Sequence, residues 1–120
     1  MATILVIDDQ KLIRSLLRAV LEEDGHEVLE ASNGHLGLEL YRERPADLII
    51  TDILMPVMNG FELIWELTKN FPRVKIIAMS GEIGMMDEEH AAKLVGVRQM
   101  FQKPLDIREL LTAVRHHLAH

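Results

Sequence analysis

Five short apolar runs alternate along this chain with segments whose apolar residues recur every three or four positions. Thr3–Ile7 is apolar throughout after its first residue, which predicts a strand covered on both faces rather than a half-exposed one. Leu12, Ile13, Leu16, Leu17, Val20 and Leu21 follow at helical spacing, with Arg14 and Arg18 placed on the opposite face, and Gly25 stands where a helix end favours a left-handed residue. Residues 26–31 predict a second strand. Asn33 is placed to cap a helix that runs to about residue 44 and is stopped by Pro45. Residues 48–51 form the third run, and the Pro and Asn-Gly between Met55 and Gly60 predict a loop. A third helix is expected over 61–69, a fourth strand over 74–79, a weaker helix over 86–95 with Gly96 as its stop, and a short fifth strand over 100–102. Asp106 and Glu109 make a capping-box pattern ahead of a last helix, whose inward stripe is Ile107, Leu110, Leu111, Val114 and Leu118.

Short apolar strands separated by helices predict an α/β fold, a doubly wound parallel sheet with helices on both faces. With 120 residues and no linker or repeat above this pattern, the expectation is one domain over 1–120, ending as its last helix ends. Hydrophobic residues make up 48% of the chain and charged residues 27%, as in ordinary globular proteins. The absence of cysteine excludes disulfides and thiolate chemistry and suits a cytoplasmic location. A net charge of -6 without a basic run argues against nucleic-acid binding by this segment. No apolar stretch reaches the length of a membrane span.

The polar residues at the ends of the runs change the picture most. Asp8 and Asp9 close the first run, Asp52 closes the third, Ser80 follows the fourth, and Lys103-Pro104 follows the fifth. In an open parallel sheet, ligands bind beyond the carboxyl ends of the strands where the strand order reverses. With the order 2-1-3-4-5, that crevice collects all of them. Three carboxylates crowded together repel, so the arrangement points to a divalent cation or to phosphoryl chemistry.

These residues, in this order and spacing, resemble the receiver domain of two-component response regulators, chemotaxis members included. The resemblance covers essentially the whole chain and rests on Asp8-Asp9, on Asp52 within Asp-Ile-Leu-Met-Pro-Val-Met-Asn-Gly, on Ser80 and on Lys103-Pro104. It implies a flavodoxin-like (βα)5 fold in which Asp52 accepts a phosphoryl group from the phosphohistidine of a sensor histidine kinase or a histidine phosphotransfer protein. It implies Mg²⁺ held by Asp9 and Asp52, by Asp8 through water, and by the backbone carbonyl of Leu54. Lys103 and Ser80 would bind phosphoryl oxygens, and the peptide bond before Pro104 would be cis. The resemblance further implies kinase docking near Leu12, Ile13, Arg14 and Ser15. The output face would comprise the fourth helix, fifth strand and fifth helix, serving a downstream partner, a fused output domain or a phosphorylation-dependent homodimer.

Blander readings stand beside these. Asp8 and Asp9 suit a turn or helix cap. An aspartyl-phosphate phosphatase also carries an aspartate at a strand end, but as Asp-x-Asp, whereas Ile53 and Leu54 follow Asp52. An interaction module that is never phosphorylated would not need the intact constellation. His116, His117 and His120 fit a solvated face of the last helix, and without a second cluster the sequence alone makes no case for a histidine metal site. Most methionines fit core or loop positions, while Met85-Met86 fit either core or a partner contact.

Two positions depart from the pattern. Family members usually carry an aromatic three residues before the lysine, which moves inward with the serine or threonine on activation; here that position is Met100, so Ser80 and Met100 are the expected switch pair. Phe101 faces the other way if the strand alternates. Gly37 stands where alanine is frequent, at a cost of about 1 kcal/mol inside a helix, which close packing would offset.

Overall fold

A computed structural model describes residues 1–55, 58–81 and 88–120, apart from the side chain of His90. The elements alternate: β1 Thr3–Ile7, α1 Lys11–Glu23, β2 Glu27–Ala31, α2 Gly34–Glu43, β3 Leu48–Asp52, α3 Gly60–Asn70, β4 Ile76–Ser80, α4 Glu88–Lys93, β5 Gln99–Gln102 and α5 Ile107–Ala119. All pairings are parallel, in the order β2-β1-β3-β4-β5. The doubly wound sheet expected from the alternation is present, and β1 and β3 flank the reversal of strand order.

Side chains alternate across the sheet, and two cores result. Leu5, Ile7, Ile49, Ile76 and Ala78 join Leu38, Leu63, Ile64 and Leu67 of α2 and α3 on one face. Ile4, Val6, Leu48, Ile50, Ile77 and Met79 join Leu17, Leu21, Leu110 and Val114 of α1 and α5 on the other. Because the central strands are covered on both sides, their residues read as unbroken apolar runs. The alternation reaches β5, where Met100 packs with the first core and Phe101 is buried in the second.

Local signals behave as their chemistry demands. The Asn33 side chain accepts the Leu36 N–H, Asn59 accepts that of Glu62, and Asp106 accepts that of Glu109. Gly25 takes φ 92° at the end of α1. A Cβ at Gly37 would lie 2.4 Å from Ile7 Cδ1, so the glycine permits α2 to pack closely on β1.

Some boundaries differ from the sequence reading. β4 begins at Ile76, two residues later than expected, because Val74 closes a turn by donating its N–H to the Phe71 carbonyl (3.1 Å). Asp52 and Ser80 are the last residues of their strands rather than the first of the following loops. Arg14 and Arg18 do not lie free on an outer face; both pair with Glu30 of β2. His117 is buried, with Nε2 2.9 Å from Gln99 Oε1. It lies seven residues past Leu110 and four past Ala113, on the packed stripe of α5, so helical spacing already pointed inward. Met85 and Met86, and the start of the fourth helix expected at 86, lie outside the described residues.

Candidate functional site

The register of the sheet brings the polar strand ends to one edge. Thr51 of β3 lies beside Ile7 of β1, and Met79 of β4 beside Asp52, so the residues that follow them emerge together. Asp8, Asp9 and Asp52 each present a carboxylate oxygen, and these oxygens lie within 4.8 Å of one another. Asp8 is fully buried and Asp52 nearly so, while Asp9 is open to solvent. Lys103, just past the end of β5, extends Nζ between the two buried groups. It donates to Asp8 Oδ2 (3.0 Å) and to Asp52 Oδ2 (3.3 Å).

Other groups fix these side chains. Asp8 Oδ1 accepts the N–H of Gln10 (2.8 Å), which closes a turn ahead of α1, whose N-cap is Gln10. The Arg14 guanidinium donates to the Asp8 carbonyl (2.7 Å). Asp52 Oδ1 lies 3.4 Å from the Leu54 N–H, and the Thr51 hydroxyl donates to the Asp52 carbonyl (2.9 Å). Behind the loop, Gly60 donates its N–H to the Ile53 carbonyl. A Cβ there would stand 2.4 Å from Ile53 Cα and 2.5 Å from the Asp52 carbonyl; only glycine lets α3 begin so close to the backbone that carries Asp52.

Ser80 is buried at the end of β4, and its carbonyl accepts the N–H of Lys103 (2.9 Å). The Lys103–Pro104 bond is cis, as the resemblance implied. The structure therefore gathers Asp8, Asp9, Asp52, Ser80 and Lys103 at one edge. Arg14, Thr51 and Gly60 were not singled out as supports of this site. The signal available for Gly60 was the Asn-Gly at a helix start, and that for Thr51 was its place next to Asp52 in the same strand; the contact of Arg14 left none, since it depends on how α1 packs beside the end of β1.

The electrostatics follow from this arrangement. Burial pushes the Asp52 carboxyl above the ordinary aspartate value; Lys103 opposes the rise, and the charge of Asp8 adds to it. For Lys103, burial works against the charge, but the hydrogen bond to Asp8 and the charges of Asp52 and Asp8 outweigh it and hold the ammonium above its ordinary value. One ammonium thus faces three carboxylates and does not neutralise them. The donors are all carboxylate oxygens, the set that suits a hard divalent cation such as Mg²⁺ and not a soft one. The chemistry of the donors therefore fits the magnesium that the resemblance implied.

The described residues contain no helix long and apolar enough to cross a membrane. Comparison with known proteins gives a consistent picture. The family model for the response regulator receiver domain matches residues 4–115. The chain is 36% identical over 121 residues to Protein PilH of Pseudomonas aeruginosa, covering 99% of each. It is 35% identical over 118 residues to the autoinducer 1 sensor kinase/phosphatase LuxN of Vibrio harveyi, but spans only 13% of that protein's length. Among solved structures, response regulator protein TrrA of Thermotoga maritima in complex with Mg²⁺-BeF superposes with a TM-score of 0.85 at 30% identity, covering 98% of this chain and 99% of that one.

Proposed function

This chain belongs to the response regulator receiver domain family, and from that premise we propose that Asp52 is its phosphoacceptor and that residues 1–120 form one receiver domain. Receiver domains are phosphoacceptor signalling domains rather than conventional enzymes, and they bind Mg²⁺ at an acidic pocket. The observation that carries the assignment is the Lys103 ammonium bridging Asp8 (3.0 Å) and Asp52 (3.3 Å) across three separate strand ends.

In the proposed reaction an ionised Asp52 oxygen forms a bond to phosphorus as the bond from phosphorus to the donor's imidazole nitrogen breaks. Little covalent chemistry is asked of the protein; positioning and charge compensation dominate. The contact between the Leu54 N–H and Oδ1 sets the orientation of the carboxylate. Lys103 moves from bridging carboxylates to binding a phosphoryl oxygen, for which a compact ammonium is suited. The Ser80 hydroxyl, on the neighbouring strand end, takes another oxygen. Asp9 and Asp52, with Asp8 behind them and the Leu54 carbonyl, would hold Mg²⁺, which offsets the negative charge that otherwise separates carboxylate from phosphoryl group.

The proposed donor is a sensor histidine kinase or a histidine phosphotransfer protein, docking over α1 beside Leu12 and Ile13. Leu12 is 80% exposed, so its apolar side chain is open to a partner there. The proposed output face is α4, β5 and α5, where a groove of about 460 Å³ is lined by Phe101, Arg108, Glu109 and Thr112. A downstream protein, a fused output domain or a second copy would bind there. Cytoplasmic location and self-dephosphorylation belong to the same proposal.

Incubation with acetyl phosphate and Mg²⁺, followed by intact mass, tests the assignment. One phosphoryl group is expected on the parent chain and none on Asp52→Asn; an equal gain on the variant would move the acceptor elsewhere.

A further inference from the structure

The last helix carries ligating side chains at the opposite end of the molecule from the acidic pocket. Lys75, just ahead of β4, donates to the carbonyls of His117 (2.8 Å) and Leu118 (3.5 Å). The end of α5 therefore lies beside the amino edge of the sheet, whereas Asp52 and Ser80 close the carboxyl edge.

We propose that His116 and His120 form a two-imidazole site for a borderline divalent transition ion, with Zn²⁺ as the probe. Residues four apart share one face of a helix, and the helix still closes at its end, where the His120 N–H reaches the His116 carbonyl (3.0 Å). The two ring centroids lie 4.7 Å apart with the planes inclined by only 33°. Imidazole nitrogens bind zinc at about 2.0–2.1 Å, which places the centroids of two adjacent ligands on one ion roughly 5 Å apart. The rings are already at the separation a shared ion needs.

Neighbouring histidines lack this arrangement. The His117 ring stands at 81° to that of His116, and its Nε2 is engaged by Gln99. His35 also has a partner four residues on, but it is Glu39 (3.1 Å). His116 and His120 are exposed, and among the described residues neither ring forms a hydrogen bond or ion pair with the protein.

Two neutral nitrogens select zinc, copper or nickel over magnesium, so the two ends of the sheet would take ions of different hardness. Water fills the remaining positions of a tetrahedral ion. Lys75 and Arg98 also face this end of α5, Arg98 donating to the His120 carbonyl (3.2 Å), and Arg115 is held by Asp24 (2.6 Å). Their positive charge weakens binding, which is therefore expected to be moderate. His116 also lines the groove with Phe101 and Thr112, so an ion that pins its ring would reshape one wall of the β5–α5 face.

Zinc titration of the full chain in saturating Mg²⁺, followed by backbone amide NMR, provides the test. The expected result is saturable shifts across the last turns of α5, with affinity reduced at least tenfold in His116→Gln and in His120→Gln and unchanged in His35→Gln. Asp52→Asn should bind zinc as the parent does, which separates this proposal from the assignment of the phosphoacceptor. Shifts confined to Asp8, Asp9 and Asp52, or undiminished binding in both glutamine variants, would overturn it. Both positions are exposed, so amide spectra of the zinc-free variants that match the parent outside α5 establish that folding is intact.

Discussion

At Asp52 one carboxylate is asked to be both buried and ionised. Its folded value lies above the ordinary 3.8, so the folded chain holds this proton more tightly than the unfolded chain does. The penalty for ionising it is absent below the unfolded value and grows as pH rises through the interval up to the folded one. Asp52→Asn is therefore expected to be more stable than the parent without magnesium at about pH 7, with the gap closing below about pH 4; urea midpoints at the two pH values check this. The proposed nucleophile must be the anion, so phosphorylation by acetyl phosphate should fall off as acid protonates the Asp52 carboxylate, and a rate profile locates the loss. Magnesium should relieve the same repulsion. Saturating Mg²⁺ is expected to raise the melting temperature, worth about 2.7 kcal/mol at a hundredfold excess over Kd, and Asp9→Asn should blunt the rise. A melting curve indifferent to Mg²⁺ would count against the metal site.

Within single elements, period and punctuation carried the fold. The strands, the caps at Asn33 and Asp106, and the alternation that separates Met100 from Phe101 were legible because each depends on residues a few positions apart. Asp106→Ala should cost about 1 kcal/mol through loss of the cap to Glu109. Gly37 shows where local reasoning stops. By helix propensity alone, alanine would gain about 1 kcal/mol; against Ile7 Cδ1 at 2.4 Å and Cγ1 at 2.9 Å, overpacking costs about 1–3 kcal/mol. Gly37→Ala is expected to destabilise the chain, and Ile7→Val in the same molecule should recover part of the loss by removing Cδ1. A double-mutant cycle measures that coupling, and a Gly37→Ala variant more stable than its parent would dismiss it.

Across the whole molecule, β4 and β5 connect the acidic edge to the side of the sheet on which Met100 packs, opposite α5. Met100 pairs with Ala78 in register, and Gln102 with Ser80; Met100, Ala78 and Ser80 therefore share one side of the sheet, and Phe101 lies on the other. A displacement of Ser80 towards a phosphoryl group would reach Met100 along the side of the sheet they share with Ala78. Beryllofluoride with Mg²⁺ is expected to shift the Met100 methyl and α4 resonances more than the Phe101 ring; shifts confined to the pocket would reject a propagated switch.

The sequence by itself determined the alternation of strands and helices, the two-sided burial of the central strands, and the kinds of donor available at the strand ends. These depend on period and composition, which are local properties. Tertiary structure decided which of those ends meet: that one Lys103 ammonium is shared by Asp8 and Asp52, that Arg14 reaches Glu30 of β2, and that the inward-facing His117 finds Gln99 of β5. The partners of Lys103 lie 95 and 51 positions away in sequence; such contacts are fixed by strand order and close packing, and no local window along the chain contains both partners.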